Sequence, residues 1–347
     1  MIQFGELLNL EEFGPYNMLS ALKDECENVD YLPNSKFKFQ VLFSNNTSFN
    51  AVAYEFCGKA IINIPVGCVM QLYHHSLLIM GREELLSDVG YEEPFIGRYR
   101  IDKFIEPEIC QYNSLYKQIA FYAGPDNPER GKVAELITFF GMEFLMFHEL
   151  GHHLGGHIRY LQERFGLTEL YAQGNKCSLD SQLYQVLEMD ADAIAISTLL
   201  ESVSTKISFY SKQFLNNKVE LIPHCIMVAI TTVYFLLDRD ECQSFDGTYA
   251  KYLPRDVRFY LVLQILFEKL NNDYQICAFS SKKENLLDTF EVANYLLTEL
   301  YKEKNPNKRI MIKEVEVIRF YYNDIVLPLW KEIREELKPF AAINLPE

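Results

Sequence analysis

The chain has 347 residues, 49% of them apolar and 14% aromatic, and a formal net charge of −15. That composition excludes a disordered chain, since there is enough apolar surface to offset the entropy of ordering. The acidic balance argues against non-specific nucleic-acid binding, which requires a positive surface. The length suits one large domain or two ordinary ones.

Apolar positions at helical spacing between 5 and 30, broken at Gly14-Pro15, predict two short helices. Lys36 to Phe43 opens with strict alternation and predicts a strand. From Asn50 to Ile64 two β-prone runs flank Cys57-Gly58, which predicts a hairpin. In a peptidase its edge, starting at Asn50 and Ala51, could take an extended substrate as an added strand. Residues 66 to 86 read as a helix, with His74-His75 a surface or packing pair. From about 90 to 130, prolines at 94, 107, 125 and 128 predict a loop-rich insert with one short helix near 112 to 122.

A helix is expected from about Lys132 to His153, apolar around nearly its whole circumference and stopped by Gly155-Gly156. Residues 158 to 173 continue as helix or irregular chain, and 173 to 176 as a loop. Further helices are expected at Ser181 to Val203, 219 to 238, 256 to 271, 284 to 303 and 309 to 336. The last is interrupted by Pro328, and 302 to 308 is a charged connector. The fold class is therefore α+β, predominantly helical, with a small N-terminal sheet or hairpin. The longest uncharged apolar run, Cys225 to Leu237, is 13 residues, short for a membrane span. Eight scattered cysteines without a C-x-x-C pair read as reduced thiols of a cytoplasmic protein, and no secretory signal is evident.

The chemistry concentrates at His148-Glu149-Leu150-Gly151-His152, the pattern His-Glu-x-x-His. Residues four apart share a helix face, so His148 and His152 can aim ring nitrogens at one metal ion. Glu149, beside that face, can take a proton from a water whose pKa such an ion lowers. A third ligand comes from Glu188-Met189-Asp190-Ala191-Asp192, three acidic residues on an otherwise apolar helix, costly to bury unless bound or partnered. Glu188 would complete the ligand set and Asp192, four residues on, would orient a ligand histidine. The alternatives are a solvated acidic stripe, and His157 as the third ligand. His153 faces about 100° away from His152.

The order of Asn50-Ala51, His148 to His152 and Glu188 to Asp192 resembles the gluzincin zinc peptidases of the HtpX and prenyl-protein endopeptidase group. Leu253-Pro254-Arg255-Asp256-Val257-Arg258 keeps that group's proline and later arginine, with leucine where the group has histidine. Without that group's membrane helices, the chain looks more like the soluble Lit-type phage-exclusion peptidases, which share a Leu-Glu-x-Asp-Ala-Asp segment like Leu187 to Asp192. The resemblance implies a zincin-like catalytic domain over 1–260 with a helical extension over 261–347 packed on it. It implies one Zn2+ per chain, a protein or peptide substrate in the cytoplasm, an activator or inhibitor partner, and a role in phage defence. It also brings Arg258 near the site, either as the oxyanion donor or in an ion pair with Asp192 or Asp190. Tyr252 and Tyr260 are weaker donors. A competing expectation is a regulatory or binding protein with structural zinc, its fourth position closed by Cys177 or His157.

Overall fold

The computed structural model describes residues 20, 22–24, 27, 39–46, 48–90, 125, 127–167, 181–237, 255–272, 283–301 and 319–343. Outside them lie most of the two short N-terminal helices, the start of the first strand at 36–38, and the insert from 91 to 124. The loop at 173–176 with Cys177, Tyr252, Leu253-Pro254 and the connector at 302–308 lie outside them too.

The described chain is mostly helical, with one three-stranded sheet: β1 (Phe39–Ser44), β2 (Val52–Phe56) and β3 (Lys59–Pro65), in the order β1-β3-β2. β1 runs parallel to β3, and β2 antiparallel to it. The expected hairpin forms because Cys57 (φ 51°) and Gly58 (φ 72°) both take left-handed backbone, the geometry of a two-residue turn whose twist matches its strands. Phe56 opposite Lys59 closes that turn. Alternation of bonded pairs along the ladder then leaves the main chain of Ala53 and Glu55 facing away from β3, on the outer edge. Asn50 and Ala51 lie just before β2 rather than within it.

Helix α1 (Val66–Met80) follows β3 directly and is buried nearly throughout. His74 and His75 belong to its interior, at 8% and 1% exposure, so they are packing residues and not a surface pair. α1 stops at Gly81, six residues short of the expected end at 86. The stop is reinforced by Arg130, a buried guanidinium that donates to the carbonyls of Met80, Arg82, Leu85, Leu86 and Val89 at 2.6–3.3 Å. It gathers the helix end and the loop after it around one cation. Replacing Arg130 with alanine would strip those carbonyls of a charged donor and is expected to cost about 3 kcal/mol or more. Chemical denaturation with linear extrapolation checks this.

α2 (Pro128–Leu154) starts four residues before the expected Lys132. The signal was present in the sequence: the Asn127 side chain accepts from the Glu129 and Arg130 N–H groups, and Pro128 sits at the first helical position. Phe140, Phe144 and Phe147 are buried, each contributing about 1.5–3 kcal/mol through burial. α3 (His157–Phe165) follows the Gly155-Gly156 stop, and α4 (Ser181–Phe214) lies along α2. α4 outruns the expected end at Val203, because Tyr210 packs edge-on against Phe140 of α2 and tertiary contact outweighs the weak local pattern beyond 203.

α5 (Ile222–Leu237), α6 (Arg255–Asn272) and α7 (Lys283–Tyr301) complete the main core. The stretch Val219–Leu237 is long and apolar enough to cross a membrane, and it is mostly buried inside the protein. The C-terminal helix α8 (Leu327–Leu337) is not broken at Pro328. A π-helical turn at Tyr322–Val326, in which the Leu327 N–H bonds to the Tyr322 carbonyl, widens the chain so that the proline follows without a break. A second apolar cluster, including Leu161, Leu187, Val257, Trp330 and Leu337, joins α3, α4, α6 and α8. The expected boundary at 260 falls inside α6, and α7 beyond it contributes Leu286, Phe290 and Leu297 to the main core.

Candidate metal centre

Two helices from distant parts of the sequence make the site. α2 and α4 pack closely at Gly151, where an added β-carbon would stand 3.1–3.2 Å from the Ala191 backbone. The glycine inside the histidine motif thus lets the acidic segment come within bonding reach.

At that crossing His148 Nε2, His152 Nε2 and the Glu188 carboxylate converge. The two nitrogens are 3.1 Å apart, His148 Nε2 is 3.4 Å from Glu188 Oε2, and His152 Nε2 is 3.6 Å from Glu188 Oε1. Ligands at about 2.05 Å in a tetrahedron are about 3.3 Å apart. The triangle therefore has the size that a tetrahedral ion needs, and the three donors form a cluster able to hold a metal ion. Glu188, Asp190 and Asp192 are 8%, 1% and 1% exposed, so the acidic segment is not a solvated stripe.

The surrounding residues hold the donors in place. His148 Nδ1 lies 2.8 Å from Asp192 Oδ1, the contact that an orienting carboxylate would make. Arg258 takes the ion-pair alternative. Its Nε and Nη2 donate to both oxygens of Asp192 at 2.6 and 2.8 Å, and its Nη1 lies 3.0 Å from Glu188 Oε2. Asp190 instead meets His157 Nε2 at 3.0 Å and accepts from Trp330 Nε1 at 2.8 Å. His157 is not among the ligand donors; its Nδ1 lies 3.0 Å from His152 Nδ1. His153 faces the sheet, with Nε2 3.1 Å from the Ile61 carbonyl, and ties α2 to β3. Tyr260 packs on the second apolar cluster.

The chain matches no family model, no curated protein and no solved structure.

Glu149 is 7% exposed and accepts a hydrogen bond from the Ala53 N–H on the outer edge of β2. Burial, aided by nearby Glu188, pushes its carboxyl up to about 7, against the pull of His148 and Arg258. The sequence offered no sign that Ala53 would make this contact; the strand register decides it. Burial opposes a charge on His148, but Asp192 and Glu188 outweigh it and raise its pKa to about 10. Burial and the neighbouring His148 hold His152 well below the usual histidine range. Burial would raise Glu188 and Asp192, yet Arg258 foremost, with the histidines, holds both below the usual carboxylate range.

These shifts set the pH dependence of the metal-free chain. His148 has its pKa raised from 6.5 to about 10, so its contribution to stability is complete below 6.5 and is lost as pH rises through about 10. A metal ligand must lose its proton, so binding at neutral pH releases about one proton from His148, and apparent affinity rises about tenfold per pH unit in that window. Melting curves from pH 6.5 to 10 should fall in the presence of a chelator and fall less with a divalent metal. A flat metal-free profile would count against the His148–Asp192–Glu188 coupling.

Proposed function

We propose that the chain is a zinc-dependent endopeptidase of the zincin type, acting on a protein or peptide substrate in the cytoplasm. The observation that carries this reading is the donor triangle with Glu149 beside it. His148, His152 and Glu188 would hold the ion, and bound there zinc would supply Lewis acidity, lowering the pKa of water and polarising a scissile carbonyl.

The chain's own residues do the rest. Glu149, whose carboxyl pKa is raised by burial in the metal-free chain, stands where a group can accept a proton from the attacking water and return it to the leaving amine. Its carboxylate is aimed by the Ala53 N–H. The same outer edge of β2, the strand that Asn50 and Ala51 lead into, offers main-chain groups on which an extended substrate can align. Asp192 fixes the His148 ring, and Arg258 holds Asp192 and Glu188 in register, so positioning the carboxylates is its primary task here. Its service to a developing oxyanion stays a proposal that Arg258→Lys would probe through kcat.

The competing reading, zinc as a purely structural ion, needs a fourth protein donor. Among the described residues the cluster contains three; both ring nitrogens of His157 face other partners, which removes His157 as the closing donor, while Cys177 lies outside the described residues. The deciding experiment compares new protein N-termini in cells producing the native chain with those in cells producing Glu149→Gln. Termini that depend on Glu149 support the peptidase; none, with zinc still bound, would refute it. A defence role against phage would show as loss of protection in the same variant.

A further inference from the structure

A hydrogen-bond chain runs from the C-terminal helix to the back of one ligand. Trp330 on α8 donates through Nε1 to Asp190 Oδ1 at 2.8 Å. The other oxygen of Asp190 lies 3.0 Å from His157 Nε2, and His157 Nδ1 lies 3.0 Å from His152 Nδ1. All four side chains are at most 8% exposed. The Asp190 carboxyl accepts from Trp330 and from the His157 Nε2–H. With His157 neutral, its Nδ1 is left as an acceptor, which puts the proton of the contact with His152 on His152 Nδ1. That arrangement leaves His152 Nε2 bare, on the side where Glu188 and His148 lie.

The glycines after α2 belong to the same assembly. A β-carbon at Gly155 would stand 2.6 Å from His157 Nε2 and 3.1 Å from Asp190 Oδ2. Gly156 has φ 79°, and a β-carbon there would stand 2.5 Å from the Phe340 backbone. The Ala342 N–H bonds to the Leu154 carbonyl at the end of α2. The segment after α8 is therefore seated directly on the end of the helix that carries both histidines.

We infer that His157, held by Asp190 and Trp330, is the positioning residue of His152, and that the C-terminal helix is thereby part of the metal centre rather than an accessory. This rests on the metal reading above. His157 is not one of the three converging donors; it sets the tautomer and ring angle of His152, as Asp192 does for His148 by a direct contact. The two ligand histidines are thus oriented by different devices: one by a carboxylate held by Arg258, the other by a histidine whose carboxylate partner is held by a tryptophan.

The test measures zinc affinity of the full chain by chelator competition, together with the visible spectrum of the Co2+ form and the 15N shifts of labelled histidines. His157→Phe should weaken zinc binding 10–100-fold and alter the Co2+ bands, and His157→Asn, whose amide oxygen can accept in place of Nδ1, should recover part of the loss. Trp330→Phe, which keeps an aromatic ring but removes the N–H, should shift both readouts in the same direction. Tyr321→Phe is the control: it removes another buried bond from the same C-terminal segment, Tyr321 Oη to Gln185 Oε1 at 2.6 Å, without touching the chain to His152. It should stay within twofold of native.

If His157→Phe and Trp330→Phe bind zinc as the native chain does, with an unchanged Co2+ spectrum, the inference is wrong while the metal reading stands. If Tyr321→Phe loses as much as Trp330→Phe, general docking of the segment explains the effect and the relay is refuted. A native chain that binds no zinc overturns both. The 15N shifts should show the His152 proton on Nδ1 in the native chain.

Discussion

Glu149→Gln is expected to abolish proteolysis while leaving fold and metal content intact. The amide has nearly the shape of the carboxyl, and its oxygen can still accept from the Ala53 N–H that now fixes the side chain. Glu149 is not one of the three converging donors, so zinc should remain at one equivalent per chain. The amide cannot take a proton from water at neutral pH, and loss of a general base costs roughly 10^2–10^4-fold in rate. In cells, N-termini generated by the native chain should fall to background, with equal protein levels and equal zinc. Undiminished cleavage by the variant would remove Glu149 from the mechanism and require another base.

Glu188→Ala should have the largest effect on metal. Structural zinc in zinc-finger peptides is worth about 10–16 kcal/mol; on that scale, removing one of three donors forfeits roughly a third, a factor of roughly 10^2–10^4 in affinity. Purified variant should carry well under one zinc per chain. His157→Ala should bind more weakly than native but far better than Glu188→Ala, because its ring lies behind His152 and not in the triangle. Metal retained in Glu188→Ala and lost in His157→Ala would reverse the ligand assignment. The variant should still fold, since Arg258 keeps both bonds to Asp192 and is not left buried without a carboxylate.

Local pattern accounted for much of the fold and less of the site. The hairpin was legible because Cys57-Gly58 is a short turn between two β-prone runs. The central helix was legible because a stretch apolar all round must be interior. Element ends were misjudged where the stabilising contact is remote: α1 is stopped with help from Arg130, fifty residues away, and α4 is prolonged by Tyr210 against α2. One end was misjudged although its signal was local, the Asn127-Pro128 start of α2. The proline at 328 suggested a break because a widened turn ahead of it cannot be foreseen from the residues alone.

What the sequence determined by itself is the donor inventory: helical spacing puts His148 beside His152, and Glu188 on the same face as Asp192, whatever the rest of the chain does. Only the tertiary structure decided which acid meets which base. Asp190 stands roughly 200° around the helix from Glu188, so the crossing of α2 and α4 at Gly151 sends Glu188 to the ligand triangle and Asp192 to His148. Asp190 is sent the other way, to His157 and to a tryptophan 140 residues on. Helical repeat is set by bonds between near neighbours and is written in the spacing of residues. The partner of a buried charge is set by how whole elements pack, and that information is spread over the entire chain.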